Sequence, residues 1–451
     1  MSAIHLVDAI ERRTRLAALL AMVTLCGVGS AAAQSTLTLA DAIARARQRN
    51  PDVGAAAAAV REATARVGQA RGGYFPKVDA SESWQRGNDP VFVFGAHLAQ
   101  RRFTAADFAV DAINHPAAVT NVAAALSVEQ ALLDPATSGH VRASSIGRDL
   151  AITSARLVEQ DLTAAVTEAF GRVVVAAATA RAAATTVAAA RADRDVAGNR
   201  RDAGRVTDAD VLEVDVYVAR TLERQVQASA DERVARARLN QLLGDPLTTI
   251  YALDLTPAAG DVDTTAPAVL EEEAVRNRPD VALARQQERL AAAMVDAARA
   301  AFLPHIAVHG SWGWNGSTWS SRSSSWAVGV VARLNLFHGF ADKARLAEAQ
   351  EQAVRRAIER GKAETMARLD VQVALARLEA ARASEAVGRT AAARARESRR
   401  IIRDRYESGL TDAAALLRSA DALEQADVQQ IAARVGVLTA TATLNRAMGR
   451  P

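Results

Sequence analysis

The chain repeats itself. Pro51-Asp52-Val53 returns as Pro279-Asp280-Val281, and at the same 228-residue offset Pro76 meets Pro304 and Ser83-Trp84 meets Ser311-Trp312. Further along the offset is 205: Gly204 meets Gly409, Leu212 meets Leu417, and Leu239-Asn240 with Gly244 meets Leu444-Asn445 with Gly449. Alanine and arginine recur by chance in helical sequence, but proline, tryptophan and glycine held in register do not. A duplication constrains architecture ahead of any local prediction. It divides the chain into a first repeat over 34–244, a linker over 245–265 containing Pro246, Pro257 and Gly260, and a second repeat over 266–451. The change of offset, 228 less 205, places 23 additional residues in the first copy between Trp84 and Gly204.

Both copies read alike. Each opens with a helical stretch, about 38–71 and 268–299, interrupted early by the proline of Asn50-Pro51-Asp52 or Arg278-Pro279-Asp280,. At Tyr74-Phe75-Pro76 and Phe302-Leu303-Pro304 the period changes from 3.6 to two,. Ile306, Val308, Trp312 and Trp314 then share a face, and Trp326, Val328, Val330, Ala332, Leu334 and Leu336 alternate with Gly329, Arg333 and Asn335. Val122, Ala124, Leu126 and Val128 mark the matching return strand of the first copy. These spacings predict β-hairpins at about 74–134 and 302–337, with strands of roughly ten residues, long enough to cross a bilayer when tilted. The extra residues fit the loop at about 85–120. All five tryptophans, Trp84, Trp312, Trp314, Trp319 and Trp326, fall in the strands or the second turn, as expected of a membrane-interface belt.

After each hairpin come about 65 residues free of proline, roughly 139–203 and 341–408, then a shorter closing helix. Met366, Leu369, Val373, Ala376 and Ala380, and likewise Val428, Ile431, Val435, Leu438 and Ala442, step by three and four. That spacing is a coiled-coil seam. Aromatics supply only 4% of the residues, too few for bulky globular cores, so Ala-lined helix seams fit better. At about 1.5 Å per residue each long helix would reach about 100 Å.

The first residues carry Arg12, Arg13 and Arg15, an apolar run from Leu16 to Val28, and Ala31-Ala32-Ala33. This is the pattern of a secretory signal over 1–33. The one cysteine, Cys26, lies inside it; Leu25 before it is bulky where a lipidation signal prefers a small residue. Past residue 33 the sequence reads as lacking a run of about 20 apolar residues, so membrane insertion would need a β-barrel. The 55 basic and 51 acidic residues are interleaved, which argues for a solvated helical surface rather than a nucleic-acid partner. No nucleophile triad, phosphate loop or zinc signature is present, and His305 and His309 are about 13 Å apart along a strand, too far for one metal. Neither catalytic residues, a metal nor a cofactor is expected.

Taken together, the signal, tandem repeats, two β-hairpins and coiled-coil hairpins resemble the TolC-like outer-membrane efflux and export factors over nearly the whole chain. The local marks are Arg201-Asp202-Ala203-Gly204-Arg205-Val206-Thr207 with Asp210-Val211-Leu212, Tyr406-Glu407-Ser408-Gly409-Leu410-Thr411 with Leu416-Leu417, and the closing Leu-Asn-x-x-Leu-Gly and Leu-Asn-x-x-Met-Gly. The resemblance implies a mixed fold: long antiparallel coiled-coil helices forming a periplasmic α-barrel, with four transmembrane strands per chain pooled in an oligomeric β-barrel. It also implies a homotrimer in the outer membrane of a Gram-negative bacterium, in contact with outer-membrane lipid and serving as the passive channel of a tripartite efflux or type I secretion system. Gly204, Val206, Thr207, Gly409, Leu410 and Thr411 would then form hairpin tips that dock on a periplasmic adaptor (membrane fusion protein) of an inner-membrane transporter. Asp210 and Glu213 match the place of a gating acid, and Tyr406 that of a gating tyrosine. Thr411 replaces the family's partner arginine, and Ala415 and Arg418 stand where some members carry an acidic ring. Asp210 and Glu213 either lock the closed end, with Arg205 or Arg418, or are first-turn acids favoured by the helix dipole. The competing functional reading is a secreted coiled-coil structural or adhesin-like protein without a pore.

Overall fold

The structure, a computed structural model, describes residues 36–254 and 266–450. The proposed signal, Cys26 and most of the linker lie outside them. Helices α1 (Leu39–Arg49) and α2 (Pro51–Arg71) lead to strand β2 (Lys77–Gly87), helices α3 (Pro90–Ala99) and α4 (Val110–Asn114), and strand β3 (Val119–Leu133). Helices α5 (Pro135–Asp202) and α6 (Asp208–Leu243) follow. The second half repeats the order with α7 (Pro267–Asn277), α8 (Pro279–Ala300), β5 (His305–Gly316), β6 (Arg322–Arg333), α9 (Ala341–Glu407) and α10 (Ala413–Ala447). Two short strands, β1 (Thr36–Leu37) and β4 (Ala252–Leu253), pair in parallel. The stretch read as a loop between β2 and β3 contains helices, because Asp89 caps α3 by accepting from the Phe92 N–H and Pro90 pre-sets its first turn,.

The chain folds as two compact units, and each draws on both repeats. Among the described residues the first takes 36–48, 165–254 and 385–438. Its core gathers Val214, Leu416, Tyr217, Tyr406, Ala190 and Ala197. An 18-residue window of α5 is apolar enough by composition to cross a membrane, contrary to the sequence expectation. Within this unit Val166, Phe170, Val173 and Val174 of α5 are buried by packing, so part of the run fills a helix seam.

Among the described residues the second unit takes 49–164, 266–384 and 439–450. Its antiparallel sheet has the order β2-β3-β5-β6. Trp84 is registered with Val122, Leu126 with Trp312, and Trp312 with Trp326. Since side chains alternate along a strand, one face therefore carries Val78, Ala80 and Trp84, the β3 stripe Val122 to Val128, Trp312, Trp314, and Trp326 to Ala332. Glu82 is a charged exception on it. The opposite face carries Asp79, Ser81, Ser127, Glu129, His309 and Ser323. In α9 of this unit the seam lies two positions away from the one inferred from spacing. Ala367, Val371, Ala374 and Leu378 are buried, whereas Met366, Leu369 and Val373 are 46%, 51% and 39% exposed. Period identifies an apolar stripe but not which of two adjacent stripes faces the same chain.

Candidate functional site

In the first unit the two hairpin turns are built identically. Gly204 (φ 70°) and Gly409 (φ 79°) both occupy the left-handed region, where glycine lacks the Cβ penalty. The Arg205 N–H donates to the Arg200 carbonyl and the Leu410 N–H to the Arg405 carbonyl, each 2.8 Å, closing the helices in Schellman turns. The next helices start on Thr207, whose hydroxyl accepts from the Asp210 N–H, and on Asp412, whose carboxylate accepts from the Ala415 N–H. The exposed Leu410 stands at one turn, and Val206 and Thr411 are half-buried.

Asp210 closes a capping box: its carboxylate accepts from the Thr207 N–H and hydroxyl, both at 2.8 Å. The Thr207 N–H and then its hydroxyl hold the Asp210 carboxyl below its ordinary range, with the positive charge of Arg200 assisting. Arg205, Glu213 and Arg418 are exposed and have no side-chain partner among the described residues. Tyr406 is instead buried, 2% exposed. The Arg200 guanidinium lies 4.8 Å from its ring centroid and donates to its carbonyl at 2.7 Å. Burial pushes the Tyr406 phenol up, against the opposing charge of Arg200.

The residues that sequence reading missed lie above the turns. Arg399 of α9 pairs with Asp193 of α5, with 11% and 6% of the two side chains exposed. Its other nitrogen donates to the Leu416 carbonyl at 2.8 Å and to the Ser419 hydroxyl at 3.3 Å, tying α5, α9 and α10 together. Tyr217 donates to Asp421 at 3.0 Å, and Arg224 bonds the same carboxylate at 2.9 Å. The pairs 193 with 399, 200 with 406 and 217 with 421 are separated by 206, 206 and 204 positions, close to the 205-residue repeat offset. Duplicated helices thus lie side by side and parallel, with equivalent positions in contact.

In the second unit the apolar sheet face has the chemistry of a surface turned to hydrocarbon. Trp84, Trp312 and Trp326 are at least half exposed, Trp312 and Trp314 stack with centroids 5.0 Å apart, and Trp319 lies in the turn with Arg322 over its ring. At the other strand ends Phe75, Phe302, Phe337 and Phe340 are exposed. This second aromatic cluster was readable in the Tyr-Phe-Pro and Phe-Leu-Pro motifs, which sequence analysis used only as breaks. Aromatics at both ends of an apolar band are the signature of a membrane-spanning sheet.

The outer membrane efflux protein family model matches residues 42–245 and 270–450. The chain belongs to that family. It is similar to the protein CyaE of Bordetella pertussis, 27% identical over 388 residues, covering 85% of this chain and 78% of that protein. It is 30% identical to the outer membrane protein OprJ of Pseudomonas aeruginosa over 241 residues, 52% of this chain and 49% of OprJ. The fold matches the CmeC outer membrane channel of Campylobacter jejuni with TM-score 0.77 over 91% of this chain and 85% of that one, at 15% identity. This outer membrane efflux protein is therefore an outer-membrane channel serving efflux or secretion, and its long helices and bilayer-length strands are those of a TolC-like fold. A coiled-coil protein without a pore would need neither a two-faced sheet nor the two aromatic girdles.

Proposed function

We propose that three copies close one channel, that the hairpin tips form its periplasmic gate, and that cargo handed over by an inner-membrane transporter and its adaptor passes through without chemistry. The sheet order carries the reading. By the repeat, β3 is equivalent to β6 and β5 to β2, so the β3–β5 junction inside one chain is the pattern for β6 of one copy against β2 of the next. Such a head-to-tail contact cannot close within a single chain, and heterologous contacts end in a ring when the rotation closes. Four strands per copy fall short of the smallest barrels of about eight; three copies supply twelve. The exposed Met366, Leu369 and Val373 stripe offers helices the same opportunity.

At the tips, the parallel pairing of α5 with α9 gives a closed state its own contacts: Asp193 with Arg399 and Arg200 with Tyr406. Asp210, Glu213, Arg205 and Arg418 border the same end, and the turns at Gly204 and Gly409 present the surface on which an adaptor docks. Membrane fractionation followed by native sizing tests the assembly. Recovery from the outer membrane at three times the protomer mass supports it, and a soluble periplasmic monomer overturns it.

A further inference from the structure

The 23 additional residues of the first repeat form an ordered cap. Helix α3 is followed by a cluster in which Phe103 packs edge-on against Phe94 and Phe108, with centroids 4.7 and 4.9 Å away. His97 sits 3.3 Å from Asp107, and Asp107 closes a capping box with Thr104. A segment with its own small core is a folded element, not a slack loop.

Its direction is set by what it touches. Gln100 is buried, and its amide donates to the Thr120 carbonyl at 2.9 Å and the Asn121 side chain at 3.0 Å. The Ser323 hydroxyl donates to the Gln100 carbonyl, and Asn121 donates to Asn315, both at 3.0 Å. By register, Asn121, Asn315 and Ser323 all lie on the polar face of the sheet, at the end bearing the tryptophans. Arg101 adds a second latch, donating to the Ser324 carbonyl at 3.0 Å. It does so from φ 53°, at a helix-closing position where glycine is the usual residue. The strain of a left-handed arginine is kept where its reach is used.

We propose that this insert folds inward across the outer mouth of the pore and sets the size of solute that can leave or enter there, with Gln100 and Arg101 as its latches. The proposal rests on the pooled barrel, in which the polar face lines the lumen. The test places one cysteine, Ser127→Cys, on the polar face about 20 Å below the latch by strand rise, in a Cys26→Ala background that leaves no other thiol. Val128→Cys on the apolar face is the control. Intact cells receive either a small methanethiosulfonate or a bulky polyethylene-glycol maleimide from outside. With the cap intact, the small reagent labels Ser127→Cys and the bulky one is excluded. With Gln100→Ala and Arg101→Gly together, bulky labelling rises at least about tenfold, since three side-chain hydrogen bonds are lost,. Replacing 90–117 by a short turn opens the mouth further. Equal bulky labelling with and without the latch overturns the cap. Failure of the small reagent in every variant, or labelling of Val128→Cys instead, overturns the lumen assignment itself.

Discussion

Asp193 and Arg399 offer the sharpest test of how the periplasmic end is held. Both are nearly enclosed, and Arg399 also bonds α10 through Leu416 and Ser419. Asp193→Ala leaves the guanidinium buried with only neutral acceptors. Removing one partner of a buried ion pair costs about 3–5 kcal/mol. If opening separates α5 from α9, that contact exists only in the closed state, and losing even about 3 kcal/mol of it raises the open population by roughly two orders of magnitude. Single-channel recording in planar bilayers reads this as a rise in time-averaged conductance. The double variant Asp193→Leu with Arg399→Met removes both charges, so thermal stability should recover towards wild type while the channel stays more open than wild type. A single variant that melts earlier but keeps wild-type closed conductance would refute the reasoning, because the pair would then hold in both states.

Further outcomes follow from the same geometry. Gly204→Ala, with open space around its Cβ, should cost about 1 kcal/mol from backbone handedness alone, whereas Gly449→Ala should cost more, because its Cβ would stand 2.7 Å from the Asn277–Arg278 backbone; denaturant melting separates them. Val330→Arg on the apolar face should destabilise the refolded channel by about 2–4 kcal/mol and Ser127→Arg on the polar face by far less, measured by refolding into vesicles. Asp210 has a folded-state pKa depressed by Thr207, so its capping contribution is complete above the ordinary carboxylate pKa of about 3.9 and disappears as pH falls through the lower folded value. Protection factors at the start of α6, corrected for the pH dependence of intrinsic amide exchange, should fall on acidification in wild type, and Asp210→Asn should flatten that dependence.

What the sequence made legible was whatever period and register encode. Alternation along 326–336 placed Trp326, Val328 and Val330 on one face, and the duplicated glycines located both turns. Contacts between helices were another matter. Nothing local marks Asp193 for Arg399, because that pairing depends on which face of α5 meets α9; only the nearness of 206 to the repeat offset records it, and only afterwards. The same ambiguity moved the α9 seam from Leu369 and Val373 to Ala367 and Val371. Gln100 was invisible for a different reason: a polar loop residue gives no sign that it docks on Asn121.

The two outer strands of the sheet differ in a way that bears on how the protein is made. Strand β2 carries Lys77, Asp79, Glu82 and Arg86, while β6 is charged only at its two ends, Arg322 and Arg333, with none from Ser323 to Ala332. Charges blunt a strand edge against casual pairing, and a flat apolar edge invites it. A newly exported chain thus has a guarded side and an adhesive side. Two adhesive sides meeting in the periplasm would form a dead-end pair, so delivery to the membrane has to outrun encounters between unassembled copies. Overproduction should therefore yield aggregates joined through β6 before it yields more channels.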